Sequence, residues 1–226
     1  EGRDRWRVRA LVEARLKAHA RGLIPARDRL DSAARVDLFS AMAEDVSTTV
    51  ARVGDVAEVP AAIAGYLADH NLPAEAKLAP DPALDDIPWH RAPLLELTKG
   101  KGEDADRVSI TGAFAGIAET GTVMALSGPH HPTTLNILPE THVVVLRADQ
   151  IVGAYEEAWD RLRASGRGTP RTIMLITGPS RSGDIEQTLQ LGAHGPKRLH
   201  LVIVGDVRSE ERRVGRECRS RWWPDH

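Results

Sequence analysis

Two short polar segments of this chain carry the residue types that a reactive or ligand-binding site needs. The first, Glu119–Thr122, places a carboxylate, two hydroxyls and a glycine directly before the apolar run Val123–Leu126. Glu119 could act as an acid, a base or a nucleophile if its surroundings shifted its pKa. The alternative is that Glu119 pairs with an arginine or caps a turn. Local sequence favours this alternative, because a lone carboxylate has no specificity as a motif.

The second polar segment, Gly178–Ser182, follows an apolar run that ends at Thr177. In an open α/β sheet, ligands bind beyond the carboxyl ends of strands, and a helix N-terminus presents free N–H groups to anions. A helix predicted over Gly183–Leu191 would place Ser180 and Ser182 at such an N-terminus. The segment therefore predicts an anion site.

Arg181 lies within this second segment and could make a two-pronged contact with a carboxylate or a phosphate. The alternative is that Ser182 only caps the helix, while Asp184 and Glu186 complement its dipole. Sequence pattern alone favours the cap, because such caps are common.

The histidines give little support for a metal site. His130 and His131 are neighbours before Pro132, so on an extended chain they point to opposite sides, and no HxH or HxxxH spacing occurs. We interpret this pair as solvated loop residues. His194, between two glycines, is the best histidine candidate for a ligand contact. The P-loop, GxGxxG, GxSxG and HExxH motifs are all absent.

Composition predicts one globular domain. The 226 residues are 42% hydrophobic with a net charge of -2, which suits one core and gives no reason to expect nucleic acid binding. The sequence contains no run of about 18 apolar residues. The start is charged and lacks a methionine, so we expect a cytoplasmic protein whose true start is missing.

The final residues, 208–226, differ in character from the rest of the chain. They have neither helical nor strand periodicity and contain the single cysteine, Cys218. This run resembles the conceptual translation of a sequencing adapter, so we expect it to be non-native. The alternative is a basic, disordered tail. Without residues 208–226 the chain has no cysteine, and it cannot by itself build a cysteine-ligated cluster.

Hydrophobic periodicity predicts the elements that must position these segments. Helices are predicted at Arg3–Ala20, Ala34–Val50, from Pro60 onward, at Asp149–Arg163 and at Gly183–Leu191. Buried strands are predicted at Val108–Thr111, Thr122–Leu126, His142–Leu146, Thr172–Thr177 and Leu199–Val204, with a further short strand at Lys77–Ala79. The alternation of strands and helices predicts right-handed crossovers and a largely parallel sheet.

Several strings resemble the lactate-utilisation protein C family, whose members carry a LUD domain. The matching strings are FAGIAETGTVMALSGP, TTLNILPETHVVVL and ITGPSRSGDIEQTLQLGAHGPKRLH. The resemblance implies a Rossmann-like three-layer sandwich with a mostly parallel sheet, similar to the glucosamine-phosphate isomerase, ribose-phosphate isomerase and CoA-transferase group and preceded by N-terminal helices. Accordingly we expect a helical region over residues 1–55 packed on the same domain, a LUD-type domain over 56–207 and the tail over 208–226.

The resemblance also implies site residues. Glu119 is the candidate catalytic residue. The implied ligand-binding residues are Thr120, Gly121, Thr122, Gly178, Pro179, Ser180, Arg181, Ser182, Asp184, Glu186, Gly192, His194 and Gly195. Neither a metal nor a cofactor is expected in this chain.

The function implied by the resemblance is that of an accessory subunit in the oxidation of L-lactate to pyruvate. The expected partners are iron-sulfur subunits, which would hold the clusters, and a small carboxylate or other anionic ligand. Two alternatives stay open. One is a stand-alone enzyme of the isomerase or CoA-transferase type that uses Glu119, and the other is a ligand sensor without catalysis.

Overall fold

The computed structural model describes residues 2–18, 22, 30–182, 190–192 and 194–205. Five helices lie within them: α1 (Gly2–Ala18), α2 (Ser32–Asp45), α3 (Val59–Asp69), α4 (Pro82–Asp85) and α5 (Tyr155–Ala164). The strands are β1 (Thr49–Val53), β2 (Glu75–Leu78), β3 (Glu96–Lys99), β4 (Val108–Gly112), β5 (Ala115–Ile117), β6 (Thr122–Leu126), β7 (Thr141–Arg147), β8 (Ile151–Val152), β9 (Ile173–Ile176), β10 (Arg181–Ser182), β11 (Gln190–Leu191) and β12 (Arg198–Val204).

A six-stranded parallel sheet is the centre of the fold. Its order is β1-β12-β7-β4-β2-β3, and every neighbouring pair runs parallel. The last described strand, β12, lies between β1 and β7, where Leu201 is in register with Val50 on one side and Val144 on the other. Continuous apolar runs form its inner strands because both faces are covered. This arrangement confirms the prediction of an α/β fold with a mostly parallel sheet.

A second, four-stranded sheet has the order β8-β5-β6-β9. In it β6 runs antiparallel to both β5 and β9. The predicted strands at Thr122–Leu126 and Thr172–Thr177 therefore exist, but they belong to this smaller sheet and not to the parallel one. Nothing in their composition separates them from the parallel strands, because both kinds are short apolar runs.

Alternating residues of the main sheet divide the core between its two faces. Val143 and Val145 of β7 pack in a cluster with Ile63 and Leu67 of α3. The intervening residues Val144 and Leu146 pack on the opposite face, in a cluster with α2 and the second sheet that includes Phe39 and Val123. A third cluster joins the far side of the second sheet to α5 through Met124, Ala158 and Leu162. The second sheet is thus enclosed between the main sheet and α5.

Helix α2 is shorter than its apolar stripe predicts. The Asp31 side chain caps its start by accepting a hydrogen bond from Ala34 N at 2.8 Å. The predicted helix Ala34–Val50 was wrong at its end, since α2 stops at Asp45 and Ser47 turns with a φ of +65°. Residues 49–53 then form β1, whose β-branched residues pair with β12. The boundary expected at residue 55 thus follows a strand of the main sheet.

The remaining helix predictions were confirmed in part. Pro60 lies in the first turn of α3, as predicted. α5 begins only at Tyr155, because β8 occupies part of the predicted Asp149–Arg163 helix. Of the predicted helix Gly183–Leu191, residues 183–189 lie outside the described residues, while Gln190 and Leu191 form a strand antiparallel to Arg181 and Ser182. None of the described helices is long and apolar enough to cross a membrane. Residues 206–226, and with them the predicted tail, also lie outside the described residues.

Candidate functional site

The segment Glu119–Thr122 forms the connection between β5 and β6. The carboxylate of Glu119 accepts a hydrogen bond from the backbone N of Tyr155 at 2.9 Å, and its own N–H donates to Gly153 O at 3.0 Å. Tyr155 is the first residue of α5, where N–H groups lack intrahelical acceptors and a negative charge is favourable. The observed contacts thus give Glu119 a structural role at the start of α5.

Four hydroxyls form a cluster next to Glu119. Thr122 is fully buried, and its Oγ1 lies 2.7 Å from Thr120 Oγ1, 2.7 Å from Thr177 Oγ1 and 3.0 Å from the hydroxyl oxygen of Tyr155. We refer to Thr120, Thr122, Tyr155 and Thr177 as the hydroxyl cluster. Since Thr177 directly precedes Gly178, the cluster joins the two polar segments that the sequence singled out.

Two glycines of these segments pack against the C-terminal end of α2. Gly121 has a φ of +63°, and a Cβ there would lie 2.3 Å from Ala43 N. Gly178 has a φ of +79°, and a Cβ there would lie 2.6 Å from Val46 O. Both backbones take a left-handed conformation and approach α2 more closely than any side chain allows. These glycines therefore hold the hydroxyl cluster against α2.

Ser180 connects the second segment to residues 192–196. Its N–H donates to Pro196 O at 2.8 Å, its carbonyl accepts from Gly192 N at 3.0 Å, and its hydroxyl accepts from His194 N at 3.4 Å. Gly195 lies beside it, since a Cβ there would be 3.3 Å from the Ser180 Cβ. The structure thus brings together four of the predicted ligand-binding residues, namely Ser180, Gly192, His194 and Gly195. The contacts that join them are contacts with one another and with Pro196.

The geometry around Arg181 differs from the one expected for an anion site. The preceding strand, β9, is an edge strand of the second sheet and runs antiparallel to its neighbour β6, so the rule for carboxyl ends of parallel strands does not apply to it. Arg181 is exposed and begins β10, and Pro179 is half-buried. In the described part of the chain no hydrogen bond or ion pair joins Arg181 to Glu119. The backbone of Ser182 lies in β10, whereas Asp184 and Glu186 lie outside the described residues.

A cleft of about 530 Å³ opens at the other end of the second sheet. It lies where the parallel strands β2, β4 and β7 end, and its polar lining includes Asp81, Thr111, His131, Gln150, Arg161 and Arg167. Phe114 and Leu126 add apolar surface. Because β6 runs from Thr122 in the hydroxyl cluster to Leu126 in the cleft, the two regions lie at opposite ends of that strand. The carboxyl edge of a parallel sheet is where α/β proteins bind ligands.

Asp81 and His131 face each other in this cleft. Asp81 is 9% exposed; its Oδ1 accepts from Ala83 N at 3.0 Å, and its Oδ2 lies 3.7 Å from His131 Nδ1. Burial lowers the pKa of His131 below its usual 6.5, against the opposing effect of Asp81, and the charges of Arg167 and His130 lower that pKa further. The side chain of His131 is 30% exposed, so the interpretation as a solvated loop residue holds only in part for it. The neighbouring His130 is exposed and contacts Pro80 O at 3.0 Å.

Arg161 and Arg167 contribute positive charge to the same cleft. Arg161 lies in the last turn of α5 and donates from Nη1 to Asp149 O at 3.0 Å, and Arg167 follows the helix in an exposed loop. Neither guanidinium forms an ion pair with a carboxylate among the described residues. An anion in the cleft would therefore meet donors that the described residues do not already neutralise.

Next to Thr111, which lines the cleft, the side chain of His142 is fully buried. Its Nε2 lies 2.8 Å from Thr111 Oγ1, and its Nδ1 has no hydrogen-bond partner among the described residues. Burial lowers the pKa of His142 to about 3, so the ring is neutral at physiological pH. Across the part of the chain that the structure describes, no group of three or more His, Cys, Asp or Glu side chains is placed to hold a metal ion.

The sequence prediction missed this cleft because its residues come from distant segments. A usable signal existed: Asp81 follows the predicted strand at Lys77–Ala79, and Gly112 follows the one at Val108–Thr111. These two positions indicate a single site only when β2 and β4 are known to be adjacent in the main sheet.

Fold and cleft together define an α/β protein with a ligand-sized cavity at the carboxyl edge of a parallel sheet. The family model described as LUD domain matches residues 36–204. The chain therefore belongs to the LUD-domain family, as its sequence motifs predicted.

Several curated proteins are similar to this chain. Lactate utilization protein C of Bacillus subtilis is 34% identical over 130 residues, covering 54% of this chain and 54% of that protein. The protein of the same name from Halalkalibacterium halodurans is 37% identical over 109 residues, covering 47% of each. An uncharacterized protein of Neisseria meningitidis is 33% identical over 138 residues, covering 60% of this chain and 57% of that protein. The chain spans about half the length of these relatives.

One solved structure is similar as well. The crystal structure of a DUF162 family protein from Deinococcus radiodurans superposes with a TM-score of 0.58 at 26% identity. The match covers 78% of this chain and 99% of that one. This likeness agrees with the α/β architecture described above.

Proposed function

We propose that this protein is a component of a lactate-utilising system and that it binds a small carboxylate in the cleft lined by Asp81, His131, Arg161 and Arg167. The relatives named lactate utilization protein C support the system, and the cleft supports the ligand class. The protein acts as an accessory subunit that brings a carboxylate ligand to its partners.

The observation that carries the ligand class is the pair of arginines at the cleft. Both lie at a cavity at the carboxyl edge of the main sheet, and neither is neutralised by a carboxylate within the described residues. A guanidinium matches a carboxylate with two parallel hydrogen bonds. The volume of the cleft falls within the roughly 300–1,000 Å³ common for ligand pockets.

The proposed partners are iron-sulfur subunits. Cys218 is the single cysteine of the 226 residues, so these residues cannot provide the four thiolates that typically hold a cluster. In this proposal the clusters, and the electrons taken from lactate, belong to the partner proteins. Bacterial relatives with the lactate-utilisation name supply the context for the assembly.

Calorimetric titration with L-lactate and pyruvate tests the ligand class. We expect Arg167→Gln to weaken binding of both acids by at least about tenfold, because one charge-assisted contact is worth about 1.5–3 kcal/mol and about 1.4 kcal/mol is a factor of ten. Arg163→Gln is the matched control, since Arg163 is on the same helix as Arg161 but pairs with Asp160 and does not line the cleft. Absence of carboxylate binding by the unmodified protein, or equal affinities in Arg167→Gln, contradicts the proposal.

A further inference from the structure

We propose that the cleft selects 2-hydroxycarboxylates, with His131 accepting the hydrogen of the 2-hydroxyl and Asp81 holding the imidazole in the tautomer that can do so. The proposal rests on the proposed function for the carboxylate contact with the arginines. It adds a second recognition element, which distinguishes a hydroxy acid from acids that lack the hydroxyl.

Asp81 is fixed in place on two sides. Its Oδ1 is held by Ala83 N at 3.0 Å. Its Oδ2 is so close to Gly112 that a Cβ there would come within 2.7 Å of it. The side chain of Asp81 is only 12% exposed. The remaining partner of Oδ2 is His131, whose Nδ1 lies 3.7 Å away. This distance is longer than a hydrogen bond, as contacts between site residues often are when no ligand is bound.

The backbone of His131 is held as well. Its N–H donates to Gly128 O at 3.0 Å, and its carbonyl accepts from Gly128 N at 3.3 Å. Pro132 follows and fixes the next φ. The imidazole is therefore attached to a closed turn, and it lines the cleft with 30% of its side chain exposed.

Burial is the largest effect that favours the neutral form of the imidazole, and the nearby charges act in both directions. Arg167 and His130 oppose a positive ring, Arg161 lines the same cleft, and Asp81 alone among these groups favours protonation. In a neutral ring one nitrogen donates and the other accepts. The carboxylate of Asp81 accepts only, so it selects the tautomer with hydrogen on Nδ1 and leaves Nε2 as an acceptor.

An acceptor at Nε2 distinguishes between related acids. The 2-hydroxyl of lactate can donate to it, whereas pyruvate offers a carbonyl acceptor at that position and propionate offers only hydrogen on carbon. A site that hydrogen-bonds a ligand hydroxyl discriminates strongly against analogues without it, because its buried polar group is then left without a partner. With the carboxylate on the arginines and the hydroxyl on His131, the cleft recognises both substituents of a 2-hydroxy acid.

The cleft is larger than a three-carbon acid requires. Its volume of about 530 Å³ leaves space beyond the two polar contacts, and Phe114 and Leu126 line the cleft with apolar surface. The substrate class is therefore defined by its 2-hydroxycarboxylate end, and longer acids such as 2-hydroxybutyrate belong in the test.

Calorimetric titration with L-lactate, 2-hydroxybutyrate, pyruvate and propionate tests the proposal. At pH 7.5 we expect the unmodified protein to bind both hydroxy acids at least tenfold more tightly than propionate. His131→Ala should remove this preference while propionate binding persists. His130→Ala is the matched control and should keep the preference, because His130 is an exposed neighbour that does not line the cleft.

Asp81 is a positioning residue in this proposal. The pH dependence of the preference for hydroxy acids distinguishes this role from a purely structural one. Protonation of His131 turns its Nε2 into a donor, so the preference for hydroxy acids should decline below pH 6.5 in the unmodified protein. Asp81→Asn keeps an acceptor for Ala83 N. We expect it to weaken the preference at pH 7.5 and to displace the pH profile to lower pH, because a neutral neighbour no longer stabilises the imidazolium.

Each outcome decides between the two proposals. If lactate and propionate bind equally, or if His131→Ala keeps the preference, the inference is overturned and carboxylate binding stands. If none of the four acids binds, the proposed function fails with it. Propionate binding and circular dichroism show whether each variant is folded. Should His131→Ala fail to fold, the pH profile of the unmodified protein decides: a preference that is constant from pH 5 to 8 overturns the inference.

Discussion

His142 on β7 and His200 on β12 are buried histidines on neighbouring strands of the main sheet, and each has one hydrogen-bonded nitrogen. His142 contacts Thr111, while His200 Nδ1 lies 2.8 Å from Thr49 Oγ1 and its ring stacks on Tyr66 with centroids 3.8 Å apart. Their second nitrogens have no partner among the described residues. Burial lowers the pKa to about 3 for His142 and to about 4 for His200. Both rings are therefore neutral in the folded protein.

These lowered pKa values predict acid sensitivity. Between the usual histidine pKa of 6.5 and about 4, the unfolded chain binds protons that the folded protein excludes. The free energy of unfolding should be at its full value above pH 6.5 and fall as pH decreases below it, by several kcal/mol in total, since one pKa unit corresponds to about 1.4 kcal/mol. Urea unfolding followed by circular dichroism from pH 7.5 to 4.5 measures this slope.

Two variants test whether His200 contributes to the slope of the free energy of unfolding against pH. His200→Gln should reduce the dependence on pH, whatever it does to absolute stability, because one of the two groups that bind protons mainly in the unfolded chain is gone and only His142 remains. His90→Gln, at an exposed histidine, should leave the slope unchanged. An equal slope in His200→Gln and the unmodified protein would contradict the assignment.

At the level of elements, the end of α2 organises both polar segments that the sequence singled out. Gly121 and Gly178 approach its last turn and its cap from two different loops. Thr122 and Thr177 are joined by a hydrogen bond of 2.7 Å between their hydroxyls. The segments are thereby packed as one unit with α2 and α5, away from the cleft.

Gly121→Ala tests this packing. The new methyl group would meet the Ala43 backbone at 2.3 Å in addition to straining a left-handed φ. Gly166→Ala is the control for strain alone, since Gly166 has a φ of +66° with nothing within 4 Å. We expect the control to cost about 1–2 kcal/mol and Gly121→Ala to cost about 1–3 kcal/mol more, measured by urea unfolding. Equal losses in the two variants would show that the close approach to α2 does not contribute.

The predicted and observed strands can be compared to show what sequence patterns identify and what they miss. Apolar runs located the inner strands β4, β7 and β12 to within a residue or two, because strands buried on both faces are mostly apolar and do not alternate with solvent-facing polar positions. The same criterion found β6 and β9 but could not show that they run antiparallel in another sheet. β1 was missed because Val50 also continues the apolar stripe of α2.

The candidate site was harder to predict than the strands. Motif resemblance pointed to Glu119–Thr122 and Gly178–Ser182, whose contacts are largely internal to the fold. The cleft combines Asp81, His131 and Arg161 from three distant stretches, and only strand order and the position of α5 bring them together. No local pattern of one sequence contains that information.

On the scale of the whole molecule, the cleft and the hydroxyl cluster lie at opposite ends of β6. The cleft is at the carboxyl edge of the main sheet, and the cluster packs on the end of α2 that leads into the start of β1. The molecule thus presents two polar regions with different surroundings. Of these two, the cleft is the one that combines a cavity with charged groups that the described residues do not neutralise.

A genetic test addresses the role of the whole protein. Deleting the gene should abolish growth on L-lactate as sole carbon source and leave growth on glucose unchanged. The unmodified gene and the Arg163→Gln gene should restore growth on lactate, and Arg167→Gln should restore it poorly. Normal growth of the deletion strain on lactate would contradict the assignment to a lactate-utilising system.

The central place of β12 has a consequence for how the chain folds. Thr49 and His200 are neighbours across β1 and β12 although they are 151 residues apart in the sequence. At about 5–20 residues per second, a ribosome releases β12 roughly 8–30 s after β1. Throughout that interval β1 lacks its neighbour β12, and β7 lacks the same neighbour from its own synthesis until β12 is released, so both strands expose unpaired edges. Assembly of this sheet is therefore a late, high-contact-order event, and the nascent chain depends on protection from aggregation until its last described strand is inserted.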